Sequence, residues 1–152
     1  MEDLGFLDDH SFDLAVSYLN QCDLPDFKAN NREIFRVLRP GGRFVIANVH
    51  SMRSAVGAWQ RTNDGLKQHV ILDCYFEEGE RTWKMLGVEF TNFHRTLSTY
   101  VRGYQQAGFT IDAIVEPTVD AETVERFPEL NDELRVPNFM ILVLRKEPVQ
   151  TK

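Results

Sequence analysis

One uninterrupted run, from Phe12 to Val49, constrains this chain more than any other feature: two apolar segments flank a helix-patterned one. Phe12-Asp13-Leu14-Ala15-Val16-Ser17-Tyr18-Leu19 has strand composition and lies between the turn formers Asp8-Asp9-His10 and Asn20-Gln21. Asp23-Leu24-Pro25-Asp26 then carries helix-start chemistry, with an aspartate able to cap and a proline whose missing N–H costs nothing in a first turn. Phe27, Asn31, Ile34 and Leu38 recur at helical spacing, and Phe35 widens the stripe. Pro40-Gly41-Gly42 stops that helix, since proline cannot continue it and glycine accepts positive φ. Phe44-Val45-Ile46-Ala47-Asn48-Val49 follows at once, and its near-continuous apolar character predicts a strand covered on both faces. Strand, helix and strand in this order predict a right-handed parallel crossover, and with it an α/β fold.

Beyond Val49 the pattern is less regular. Met52, Ala55, Val56 and Trp59 suit one short helix within Ser51–Gly65. His69–Phe76 and Arg81–Phe90 read as the two strands of a hairpin around Glu77-Glu78-Gly79-Glu80. Leu97, Tyr100, Val101 and Tyr104 mark a second amphipathic helix, capped by Thr96 and ended at Gly108. A strand over 109–115, a short helix over 120–127 and an apolar strand over 139–144 complete the reading.

Composition excludes several classes. The 152 residues carry a net charge of −6, with lysine and arginine scattered, so no basic groove for nucleic acid is expected. No apolar run reaches 18 residues, so no membrane span is expected. The start, MEDLGFLDDH, has neither the basic nor the apolar region of a signal peptide. Cys22 and Cys74 form no CxxC pair, which favours a reducing cytoplasm over a disulfide framework. His10, His50, His69 and His94 lack ligand spacing, so no metal site is expected.

The block Ser11–Ser17 followed by Glu33-Ile34-Phe35-Arg36-Val37-Leu38-Arg39-Pro40-Gly41-Gly42-Arg43-Phe44 resembles the fourth and fifth strands, and the intervening helix, of class I S-adenosylmethionine-dependent methyltransferases. His94-Arg95-Thr96-Leu97-Ser98-Thr99-Tyr100, Ala107-Gly108-Phe109 and Glu116-Pro117 resemble the later part of the small-molecule members. The resemblance covers about Asp3 to Lys146 and implies a Rossmann-like sheet with strand order 4-5-7-6, its last strand antiparallel, carrying an inserted β-hairpin. It implies residues 1–147 as the C-terminal half of a methyltransferase domain, 51–93 as a substrate-side insertion and 148–152 as a tail. The family's cofactor loop needs closely spaced glycines, and the nine here (5, 41, 42, 57, 65, 79, 87, 103 and 108) include no G-x-G triplet. The expectation is therefore that the cofactor-binding half is absent and that binding of S-adenosylmethionine by this chain is weak.

The resemblance places Ser17, Tyr18, Leu19 and Asn20 beside the cofactor, at the carboxyl end of a parallel strand. His50, ending the next strand, reads either as a substrate-facing imidazole or as a turn residue. His94 and Arg95 either clamp an anionic substrate group or brace the loop before a helix. Tyr75, with Phe76, Trp83 and Phe90, either roofs a substrate pocket or packs on the sheet. Asp8-Asp9 and Glu77-Glu78 read as solvated turns, and nothing resembles a Ser–His–Asp or Cys–His nucleophile set, although a substrate-facing His50 would suit a general base.

A four-stranded remnant would leave Phe12–Leu19 at an edge. Both crossovers would set their helices on one face, leaving Val45, Ala47, Ile141 and Val143 poorly covered. Self-association, most simply as a homodimer, or closure by Ser51–Gly65 is the expected remedy. Two functions remain open: methyl transfer to a small molecule, and a non-catalytic remnant serving as a dimerising or partner-binding module.

Overall fold

The computed structural model describes residues 2–85 and 87–148, without the side chains of Ala58, Trp83 and Met85. The ring of Trp83 and residues 149–152 of the expected tail therefore lie outside the described residues.

Strand β1 (Phe12–Tyr18), helix α1 (Phe27–Val37) and strand β2 (Leu38–Val49) form the crossover, with β1 parallel to β2. Asp26 caps α1 by accepting the Ala29 N–H at 2.9 Å. The helix ends before Pro40, because the residue preceding a proline disfavours helical backbone. The 38–42 stretch is part of β2 rather than a separate stop, and the β1–β2 register shifts between Phe12 and Leu14 to absorb it.

Helix α2 (Ser51–Ser54) is one turn, and strand β3 (Val56–Arg61) follows it. The helix expected over 51–65 is thus mostly strand. β3 pairs with β4 (Lys67–Leu72) across a turn closed by Thr62 N–H to Leu66 O and Gly65 N–H to Thr62 O, both 2.9 Å, with Gly65 at φ 89°. The single hairpin expected around Glu77–Glu80 is also revised: β5 (Gly79–Met85) pairs with β6 (Val88–His94), beside Gly87 at φ 80°. Gly79 already pairs with His94, so the acidic stretch precedes a strand instead of turning between two. Helix α3 (Leu97–Ala107), strand β7 (Phe109–Val115), helix α4 (Ala121–Arg126), a 3-10 turn (Pro128–Leu134) and strand β8 (Phe139–Lys146) complete the chain.

The main sheet has the order β1-β2-β8-β7, with β8 antiparallel to both neighbours. Helices α1 and α3 share one face. There Phe27, Tyr100 and Tyr104 pack over Phe44, Ile46, Met140, Leu142 and Leu144. Gly103 is what lets the helices meet, because a Cβ there would lie 2.6 Å from the Phe27 ring. On the other face Val45, Ala47 and Val49 are half-buried, short of the two-sided cover expected for β2, and at the β1 edge Leu14, Val16 and Tyr18 are 54, 66 and 75% exposed. Residues 51–65 leave these three side chains uncovered; the β3–β4 hairpin instead ties to the 3-10 turn through Lys67–Asp132 at 2.6 Å and Arg135 on the Gln68 and Lys67 carbonyls.

Candidate functional site

β1 and β2 end side by side, and each ending places polar groups at the carboxyl edge of the sheet. Ser17 is buried on the helix-covered side, and its Oγ has no hydrogen-bond partner. Tyr18 points to the open side. Leu19 turns the chain at φ 48° and donates its N–H to the Ala47 carbonyl at 2.8 Å, while the Asn20 carbonyl accepts from Asp23 N–H at 2.9 Å. A non-glycine residue at positive φ stores local strain and holds the chain at this bend.

At the end of β2, His50 is buried and donates its backbone N–H to the Asn138 carbonyl at 2.9 Å. Its Nδ1 accepts the Met52 N–H at 3.1 Å, capping α2, and its Nε2 stands 3.0 Å from Glu116 Oε1. Nδ1 must therefore be unprotonated, leaving Nε2–H to donate to Glu116. Burial pushes the His50 pKa below its ordinary value, against the opposing pull of Glu116. The imidazole is neutral, and both of its nitrogens are engaged.

The remaining candidates converge on the start of α3. Thr96 caps the helix by accepting the Thr99 N–H. Its own N–H and hydroxyl donate to Glu78 Oε1 at 2.8 and 2.7 Å. Tyr75 OH accepts the Leu97 N–H at 3.0 Å, and the Tyr75 carbonyl faces His94 Nε2 at 2.8 Å. His94, fully buried, also contacts Ser54 Oγ through Nδ1 at 2.6 Å, which joins α2 to β6. Glu78 is thus no free turn residue: partial burial opposes its ionisation, but the Thr99 and Thr96 donors prevail and hold its carboxyl below the usual range.

Arg95 is 7% exposed, and its guanidinium donates to the carbonyls of Gln21, Leu24 and Pro25 at 3.2, 2.5 and 2.9 Å. Its carbon centre lies 4.7 Å from the Phe27 ring centroid and 5.3 Å from that of Phe93. Of the two uses open to this arginine, bracing the loop is the one its hydrogen bonds serve. Phe93 N–H adds a bond to the Cys22 carbonyl at 2.6 Å. Ser17–Asn20 and the Tyr75–His94–Arg95 group are therefore brought together by the 20–25 loop, and His50 joins them through α2.

A cleft of about 260 Å³ lies at this junction, lined by Pro25, Glu78, Gly79, Phe93, His94 and Arg95. A larger cavity of about 510 Å³, between residues 61–67 and 124–131, touches none of the candidate residues. The smaller cleft bears on the site. Sequence reasoning missed Ser54, Glu78 and Glu116 as partners, since each acts on a residue at least 18 positions away. The Glu116-Pro117 pair was visible, but nothing in it named His50.

Residues 1–46 match a family model described as a methyltransferase domain. A Listeria monocytogenes protein assigned as an S-adenosylmethionine dependent methyltransferase is 28% identical, with a TM-score of 0.85 over 96% of this chain and 66% of that one. An S-adenosylmethionine dependent methyltransferase from Mesorhizobium loti is 31% identical, with a TM-score of 0.79 over 91% of this chain and 64% of that one. The chain thus spans just under two thirds of the length of these two proteins. The cyclase SpnF, 18% identical with a TM-score of 0.55 over 97% of this chain and 53% of that one, shares the fold alone. No curated protein matches the chain.

Proposed function

Since the chain belongs to the class I S-adenosylmethionine-dependent methyltransferases, we propose that it forms the substrate-facing part of a site that methylates a small molecule. The observation that carries this reading is the junction of the β1 loop, the end of β2 and the start of α3. It lies at the carboxyl edge of parallel strands, where open α/β sheets bind ligands. A 260 Å³ cleft suits a small acceptor.

The residues present fit one side of S-adenosylmethionine. Ser17 offers a buried hydroxyl without a partner, and the exposed Tyr18 ring offers a flat face at the next position. With Leu19 and Asn20 they would hold the cofactor, which when bound supplies an electrophilic methyl group on its sulfonium. The chain's own contribution is positioning, because in-line transfer depends on holding acceptor and methyl together. Arg95 fixes the 20–25 loop, His50 fixes α2 against Glu116, and His94, held by Tyr75, lines the cleft proposed for the acceptor. The free thiols of Cys22 and Cys74 support a reducing, cytoplasmic setting.

Titration with S-adenosylmethionine, followed by amide chemical shifts, tests the reading. We expect weak binding, with Kd about 1 mM or higher, and shifts grouped at residues 17–22 and 48–51. Unmoved amides in both groups at saturating ligand would refute it.

A second reading, a module that associates with copies of itself, is favoured by the exposed apolar side chains of β1 at the sheet edge.

A further inference from the structure

Residues 73–78 connect the β3–β4 and β5–β6 hairpins, and positive φ marks both ends of this connection: 54° at Cys74 and 143° at Gly79. The segment is a compact unit. Glu77 N–H donates to the Cys74 carbonyl at 3.0 Å, and Arg81 Nη2 donates to the Glu77 carbonyl at 2.6 Å. Phe76 is 87% exposed, so the segment has little apolar anchorage. What fastens it to the body, among the described residues, is polar: Tyr75 OH on Leu97 N–H, Glu78 on Thr96, and the Tyr75 carbonyl on His94.

The placement of these contacts is what matters. Glu78, Gly79 and His94 all line the 260 Å³ cleft, yet His94, the ladder partner of Gly79, is 0% exposed. The Tyr75 ring stands 5.7 Å from the His94 ring and its carbonyl closes on Nε2. A segment with few buried apolar contacts, held by hydrogen bonds that water can replace, opens at low cost. Positive-φ residues at both ends localise the bending.

We infer that residues 73–79 are a hinged strap, latched onto the first turn of α3 by Tyr75 and Glu78, whose release opens the cleft beside His94 and Arg95. Opening leaves both hairpins paired and requires that water take over the Thr96 and Leu97 N–H groups, the Thr96 hydroxyl and His94 Nε2. The inference does not depend on what the cleft binds, and its test reads no methyl transfer.

Diethylpyrocarbonate modification of the whole chain, followed by mass spectrometry, reports access to His94, with the exposed His69 as internal reference. In Glu78→Ala the His94 rate should rise roughly tenfold relative to His69, and in Tyr75→Phe by a smaller factor. Amide exchange should accelerate over 73–79 and 96–99 while β2 and β8 stay unchanged. An unchanged His94 rate in both variants would overturn the strap. So would a rise accompanied by equal acceleration in β2 and β8, because that signals general loosening.

Discussion

At the residue scale, Arg95 shows how a site can be visible and its role hidden. The His94-Arg95 pair before a helix is plain in the sequence, but its three acceptor carbonyls lie 70 to 74 positions earlier in the chain. Nothing in a linear pattern selects Gln21, Leu24 and Pro25 as partners, since a backbone carbonyl carries no residue signature. The structural consequence is large. Removing the guanidinium strands three carbonyls and a cavity between Phe27 and Phe93. Arg95→Met should therefore lower unfolding stability by ~3 kcal/mol, measured by chemical denaturation. Lysine should rescue little of it, because one ammonium cannot reproduce the fork. A loss below ~1 kcal/mol would mean that the loop is held by other contacts.

Among elements, legibility follows the range of the interactions that decide the outcome. The crossover was readable because a 3.6-residue stripe, an aspartate cap and a proline stop are local signals that all agree. Helix α3 was readable for the same reason, from Thr96 to Gly108. The 51–94 region was not. There the partner of each strand decides the turn, and Asn63-Asp64-Gly65 and Gly87 take the turns that composition alone assigns to Glu77–Glu80. Gly103 belongs to this scale too: in the sequence it is an odd glycine inside a helix, while in the fold it is the contact point of α1 and α3. Gly103→Ala would relieve the helix of glycine's entropy cost yet force the Phe27 ring aside. Overpacking should win, with a net loss of about 1–3 kcal/mol in thermal or chemical unfolding. A stabilised variant would show that the ring has room to yield.

For the whole molecule, the open face and the β1 edge dominate. Each 100 Å² of apolar surface left wet forgoes about 2.5 kcal/mol, a large share of a domain's margin. Light scattering should show association that grows with concentration, and Val16→Lys, which places a charge in the middle of the exposed row, should suppress it. A monomer at every concentration, with slowly exchanging β1 amides, would count against the module reading. A different consequence follows from where β8 lies. The last strand among the described residues is an inner strand of the sheet, seated between β2 and β7, and its Lys146 reaches back to the Phe35 and Leu38 carbonyls at the end of α1. During synthesis, then, the crossover and the outer strand β7 wait as separate pieces until residues 139–146 have left the ribosome. The fold's keystone is made after both of the pieces it joins.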